Sequence, residues 1–425
     1  MNEMPAAGRS AHSFVRFTGI GLLIVFLLLI WLSARAGFAS LLYTYAATSN
    51  QLAAANAAVS LSSGDPEAHY LWGAVLEAAG DLTAAIAEYN EAILRRPDDY
   101  VLWLSLARAQ ELNGQVVPAT AAARQAIQLA PYYAQTHWQL GNLLVRTGHA
   151  EEGFGELRLA AASNPRLLSP IIDLAWQLSR GNVQFVIQAV QPATPADYQS
   201  LAEYFKKRGR EADAISLLRS AGNIAADYRR QYLDELLTAK RFADAYAIWS
   251  IGHTPANRSD AGGPILSNPG FEEERPLNEP GFDWHTENNA QTLTLSLDPE
   301  NPKEGKSSLR VEFSGDSDPR TQVISQLVLV EPNSRYQLKF AARTENIVSG
   351  GLPGVVVVDA GNKEILGQTN AFPRTISDWQ DYSIDFNAKG TTTAILISLQ
   401  RGQCSESTCP IFGRLWLDNF SLKKL

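Results

Sequence analysis

PEAHYLWGAVLEAAGDLTAAIAEYNEAILRRP at 66–97, YVLWLSLARAQELNGQVVPATAAARQAIQLAP at 100–131 and AQTHWQLGNLLVRTGHAEEGFGELRLAAASNP at 134–165 are one pattern written three times. Glycines stand at Gly80, Gly114 and Gly148, alanines at Ala92, Ala126 and Ala160, and prolines at Pro97, Pro131 and Pro165, each step being 34 residues. Gly73, Ala107 and Gly141 keep the same register, each after a large apolar residue: Trp72, Leu106 or Leu140. A fixed period of this kind marks a repeat architecture. Each unit reads as two amphipathic helices joined at the glycine and closed by the proline. Such a pair buries its apolar side only against the next pair, so the units must stack.

The pattern resembles the tetratricopeptide repeat over about residues 65 to 165. The small residue of helix A, the alanines of helix B and the terminal proline all have counterparts. The aromatic position of helix A is filled by His69, Trp103 and His137, and that of helix B by Tyr89, Ala123 and Leu157. The resemblance implies an all-α solenoid whose groove is lined by Tyr70, Glu77, Leu104, Arg108, Trp138, Asn142 and Arg146. Arg108 and Arg146 would pair with carboxylates of an extended protein partner. Ordinary repeat packing under a solvated groove is the other reading of these residues. His69 and His137 lie two repeats apart and are expected to fill helix interfaces, not to share a metal ion.

Weaker copies extend the array to 47–250. Residues 47–62 are alanine-rich and look like half a repeat. Residues 166–193 are irregular. Thr194 is a candidate N-cap, with Pro195 at the first helical position and Asp197 in the first turn. Leu201, Ala202, Phe205, Ala214, Leu218 and Ala221 follow around Gly209, and a shorter unit at about 226–250 ends with Ala245 and Trp249.

The chain has 425 residues, more than one ordinary domain holds. Lys and Arg total 36 against 44 Asp and Glu, a net charge of −8, which argues against nucleic acid as a partner. Cys404 and Cys409 are the only cysteines, too few for a four-cysteine zinc site. They stand five positions apart in the polar stretch QCSESTCP and can close a small ring in an oxidising compartment; two unpaired thiols are the alternative.

FTGIGLLIVFLLLIWLSA at 17–34 carries no charge and, as a helix, would span about 27 Å. The expectation is a transmembrane signal anchor at 17–34 with a cytoplasmic tail at 1–16, Arg9 and Arg16 placing the N-terminus inside. A cleaved export signal ending near Ala34-Arg35-Ala36 is the competing reading. Both export the body of the protein, so the expected location is a bacterial inner membrane, single pass, with the C-terminal body extracytoplasmic.

Near residue 251 the helical text stops, and IGHTPANRSDAGGP at 251–264 reads as a linker. Beyond it come short runs with period-two alternation: LTLSL at 293–297, SLRVEF at 308–313, YQLKF at 336–340, VVVV at 355–358, YSIDF at 382–386, AILISL at 394–399 and LWLDNFSL at 415–422. They predict an all-β sandwich over 265–425.

Within it SNPGFE at 267–272, EGKSSLRV at 304–311, EPNSRYQLKFAAR at 331–343 and WLDNFSL at 416–422, with Trp284 and Trp379, resemble in order and separation the carbohydrate-binding modules of the family four and nine type. That resemblance implies a jelly-roll, galactose-binding-like fold and binding of a glycan. The rings of Tyr336, Phe340, Tyr382 and Phe386 share the parity of the core, leaving Gln337, Lys339, Ser383, Asp385, Ser398 and Gln400 on the opposite face. Phe282, Phe372, Phe412 and Trp416 remain as rings for stacking on sugar. A sandwich that is structural or docks protein is the alternative. The resemblance also implies a structural calcium ion near the chain ends, with Glu272 and Asp418 as the matching carboxylates.

No HExxH, GxSxG or phosphate-binding glycine loop occurs, so no catalytic residues are assigned. The resulting expectation is a non-enzymatic envelope scaffold: a membrane anchor, a repeat array that docks a protein, and a sandwich that binds polysaccharide during surface polysaccharide assembly or export. A purely structural adaptor and a glycan hydrolase with an unrecognised site are the contrasting readings.

Overall fold

The computed structural model describes residues 22–35, 37–38, 41, 52–252, 266–274, 281–286, 293–316, 322–404 and 409–425. It divides into two compact units, Met1–Gln191 and Pro192–Leu425.

The first unit holds α1 (Leu52–Leu61), α2 (Pro66–Ala78), α3 (Leu82–Arg95), α4 (Tyr100–Leu112), α5 (Val116–Leu129), α6 (Ala134–Arg146), α7 (Ala150–Ser163), α8 (Leu168–Leu178) and α9 (Val183–Val190). Asp65, Asp81 and Asp99 cap α2, α3 and α4, each carboxylate accepting a backbone N–H of the first turn. Gly80, Gly114 and Gly148 end α2, α4 and α6 at φ of +85°, +78° and +89°. Only glycine enters that region without steric cost, and the chain reverses there. The N–H of the next residue then bonds the carbonyl five positions back, as from Asp81 to Leu76 at 3.0 Å.

Reversal lays each second helix on the first through the small residues of the pattern. A Cβ on Gly73 would stand 2.8 Å from the Tyr89 ring, and one on Gly141 would stand 2.7 Å from Leu157 Cγ. The middle repeat places Ala107 and Ala123 at the same two positions, both buried. Small faces large in the outer repeats, and medium faces medium between them. Ala85, Tyr89, Ala92, Leu106, Ala107, Ala123 and Leu140 share one core across the repeats.

The second unit opens with α10 (Pro195–Lys207), α11 (Glu211–Ala221), α12 (Ala226–Thr238) and α13 (Phe242–Trp249). Thr194 caps α10 as expected: its hydroxyl accepts from Asp197 N, and the Asp197 carboxylate accepts from Thr194 N.

The strands are β1 (Leu293–Asp298), β2 (Ser308–Asp316), β3 (Ile324–Leu329), β4 (Arg335–Ser349), β5 (Pro353–Asp359), β6 (Ile365–Gln368), β7 (Ile376–Asn387), β8 (Ala394–Arg401) and β9 (Pro410–Lys424). Five form an antiparallel sheet in the order β1-β2-β9-β4-β7, and four form another in the order β3-β8-β5-β6. Alternate residues of both sheets, among them Val311, Leu338, Phe340, Leu417, Val357 and Ile397, fill one apolar core. Ahead of β1, Phe282 packs on α13 through Tyr246 and Trp249.

The expectation of a transmembrane helix at 17–34 is corrected. Among the described residues no helix is long and apolar enough to cross a membrane. Placement as a single-pass inner-membrane protein falls with it. The expected tail at 1–16 and most of the expected linker at 251–264 lie outside the described residues.

Candidate functional site

Three residues at the same place in successive repeats show how the array is joined. Trp103 donates its indole N–H to Pro97 O at 2.7 Å. His69 places Nε2 3.0 Å from Ser63 O, and His137 places Nε2 2.8 Å from Pro131 O, in each case six positions upstream. The carbonyls lie just beyond the preceding helix, where intrahelical donors have run out. The histidines have a second nitrogen to satisfy. Glu88 Oε2 lies 2.7 Å from His69 Nδ1 and Glu156 Oε2 lies 2.6 Å from His137 Nδ1, each glutamate 19 positions on. The corresponding residue after Trp103 is Ala122. Both histidines are buried in these interfaces. The pairing of His with Glu at a spacing of 19 was present in the sequence, but only the fold shows its purpose.

The expected groove residues lie along α2, α4 and α6. Arg108 binds the Glu77 carboxylate with two N–H groups, Nε at 2.7 Å and Nη2 at 3.1 Å, and thereby ties α4 to α2. The same carboxylate accepts the Tyr89 hydroxyl at 2.8 Å. Burial, then that hydrogen bond to Glu77, pushes the Tyr89 hydroxyl far above the ordinary tyrosine range. Arg146 reaches Glu111 Oε1 from Nε at 2.8 Å and from Nη2 at 2.5 Å. Both arginine side chains remain more than half exposed. Tyr70 leans on Tyr89 with ring centres 6.0 Å apart. Trp138 is half-buried, and Asn142 donates to its carbonyl. Leu104 is buried and presents only its backbone carbonyl, to Gln139. The exposed chemistry of this row is thus two guanidinium groups anchored by Glu77 and Glu111, the second of which the sequence reading missed.

The expected glycan residues are not brought to one place. Phe282 and Phe372 are core residues, Phe282 against α13 and Phe372 against Phe340 and Tyr382. Trp416 does point outward from β9, but the Arg343 guanidinium covers its ring at 4.2 Å and its N–H is donated to Asp298 at 2.7 Å. These three rings cannot stack on a sugar. Phe412 is 47% exposed, beside Val348 on β4. Gln337 donates to Asp385 at 2.8 Å on the outer face of the five-stranded sheet, where Lys339 also stands exposed. Gln400 is on β8 of the other sheet and bonds Ser398.

Glu272 and Asp418 are brought together beside Gly270. Glu272 accepts Lys306 N on both oxygens, while Asp418 accepts Lys303 N and Glu304 N on Oδ2 and Asn419 N on Oδ1. A Cβ on Gly305 would collide with the Glu272 carboxylate, so glycine is required there. Burial raises the Asp418 carboxyl above the usual carboxylate range, and the charge of Glu272 adds to it. Among the described residues no three His, Cys, Asp or Glu side chains gather to hold a metal ion.

Cys404 and Cys409 are paired as a disulfide.

The chain therefore carries a helical repeat scaffold resembling the tetratricopeptide repeat, followed by a region of antiparallel β-sheets. No family model matches it. It is 29% identical over 101 residues to the DnaJ homolog subfamily C member 3 of Homo sapiens, a match covering 24% of this chain and 20% of that protein. The chain thus spans about one fifth of the length of that curated relative. Among solved structures, MamA 41-end from Desulfovibrio magneticus RS-1 is similar with a TM-score of 0.30 at 14% identity, over 44% of this chain and 93% of that one. A crystal structure of MamA gives 0.27 at 15% identity, over 40% and 84%.

Proposed function

We propose that the repeats dock an extended, acidic segment of a protein partner. The observation that carries this reading is the pair of anchored guanidinium groups. Glu77 and Glu111 hold Arg108 and Arg146 in place through Nε and Nη2, and a guanidinium has five N–H donors, so Nη1 is left to meet a second carboxylate. Half-buried Tyr70 and Trp138 supply apolar surface on the same helices. Selection of a random peptide display library against the full chain tests it. Enriched peptides should carry carboxylates and lose at least tenfold in affinity to R108A/R146A. Peptides that bind the double variant unchanged would refute the groove.

For the β unit we infer glycan engagement on the outer face of the five-stranded sheet, around Gln337, Lys339 and Asp385. Retention of the full chain on a polysaccharide panel, lost in K339A, supports it. Retention on no glycan leaves the structural adaptor as the reading. A calcium ion at Glu272 and Asp418 is also a proposal. As arranged, the carboxylate oxygens face backbone N–H groups, which repel a cation, so the ion fits only if the backbone at 303–306 turns away.

A further inference from the structure

We propose that the Cys404–Cys409 disulfide is a redox-responsive bond, with Cys409 as its leaving thiolate and Arg401 as the group that stabilises it. Arg401 ends β8 almost completely buried. Its Nη2 lies 2.9 Å from Cys409 Sγ, 2.6 Å from Cys409 O and 3.0 Å from Ser349 Oγ. Ser349 Oγ itself stands 4.0 Å from the same sulfur. A guanidinium cannot be deprotonated in a protein, so Cys409 Sγ faces a fixed positive charge in a site from which water is largely excluded. In the disulfide this sulfur is neutral and gains little from that charge. As a thiolate it gains a charge-assisted hydrogen bond. The environment therefore favours the reduced state, which makes the bond more oxidising than a disulfide in a neutral setting.

The two sulfurs are unequal in access. Cys404 is partly exposed and Cys409 is buried. A thiolate of a dithiol reductant attacks Cys404 Sγ, the Sγ–Sγ bond breaks, and its electron pair leaves on Cys409 beside Arg401. The reductant's second thiol, once deprotonated, then attacks the mixed disulfide. Cys404 departs as a thiolate and takes up a proton, and the reductant is oxidised to its own disulfide. Two electrons pass from the dithiol to the protein.

The bond joins the two sheets, tying the end of β8 to the start of β9. A Cβ on Gly351, in the turn between β4 and β5, would lie 3.0 Å from Cys404 Sγ, and Gly351 N donates to Ser349 Oγ. Arg401 closes β8, and Cys409 immediately precedes β9. Reduction releases the end of β8 from the start of β9 against that turn.

The test is the midpoint potential of the full chain in a graded dithiothreitol redox series, for the native protein, R401M and R401K. R401M should be at least tenfold harder to reduce, about 30 mV more negative, with R401K between the two. Equal potentials in native protein and folded R401M would overturn the proposal, as would free thiols in the air-equilibrated native chain. Should R401M fail to fold, C404S decides alone. Its single thiol, followed by thiolate absorbance near 240 nm, should ionise well below the ordinary cysteine value of about 8.5. Ionisation at or above that value refutes the role of Arg401.

Discussion

Glu156 holds the Nδ1 side of the His137 ring while the other nitrogen of the ring bonds a backbone carbonyl. Both ring nitrogens face oxygen, so bridging both contacts takes one proton more than a neutral imidazole carries. Trp103 needs no such partner, because an indole has one N–H and no acceptor nitrogen, and an alanine suffices opposite it. Replacing Glu156 with Ala should therefore destabilise the chain by about 1–3 kcal/mol. Adding His137→Trp should recover part of the loss by copying the middle repeat. Urea unfolding of both single variants and the double variant measures the coupling. Strict additivity would mean that the two side chains act independently.

Size matching between the helices of one repeat makes a similar demand. Gly73→Ala would press a methyl group into the Tyr89 ring and should cost about 1–3 kcal/mol. Ala123→Tyr in the middle repeat should be at least as damaging, and Ala107→Gly should relieve it. Failure of the second change to rescue the first, in thermal unfolding, would show that ring space is set elsewhere.

Glu77 and Arg108 share a contact but not a burden. Arg108 is largely exposed, so Arg108→Ala should cost less than about 1 kcal/mol. Glu77→Ala removes the acceptor of the buried Tyr89 hydroxyl as well and should cost about 1–3 kcal/mol. Equal losses in denaturant melts would contradict the division.

Three tyrosines give the helices an alkaline limit. Tyr89, Tyr228 and Tyr232 donate to Glu77, Glu203 and Glu211, and burial first, with those carboxylates, raises all three hydroxyls far above the ordinary value. A group whose folded pKa exceeds its unfolded one stabilises fully below the unfolded value, about 10 for tyrosine, and that contribution is lost as pH rises beyond it. Stability should thus fall steadily above pH of about 10, with the slope reduced in Tyr89→Phe. Tyrosinate absorbance rising near pH 10 for every tyrosine, with helical circular dichroism intact, would disprove it.

Asp418 titrates in the opposite sense to a salt-bridged acid. Its raised carboxyl favours the fold below the ordinary carboxylate range, and the advantage is lost as pH rises through the folded value. Millimolar calcium should offset that loss at neutral pH and raise the melting temperature if the ion binds there, and Glu272→Gln should abolish the rise. An unchanged melting curve with calcium or chelator would show a latch made of protein alone.

The repeats were legible because their constraints are local and recur. A left-handed turn admits glycine at Gly80, Gly114 and Gly148, and close packing admits only small residues at Gly73, Ala107 and Gly141. Alternation likewise exposed the strands, as in Tyr336, Leu338 and Phe340 of β4. The candidate sites were less legible because they depend on partners from distant elements. Spacing assigned no face to Trp416, and the Arg343 that covers its ring comes from another strand. Phe282 and Phe372 sit in irregular segments where period says nothing of burial. Arg401 gave no sign of its disulfide contact, since β8 reads as apolar alternation up to its last residue.

His69 with Glu88 and Gly73 with Tyr89 are compensations inside a single 34-residue unit, as are their counterparts at 137 with 156 and 141 with 157. The one bond these histidines send upstream ends on a main-chain carbonyl, which any residue supplies. Each unit is therefore a cassette that can be duplicated, deleted or transplanted by recombination without internal repair. The Glu–Arg clasps and the apolar core shared between neighbours are what has to be matched anew.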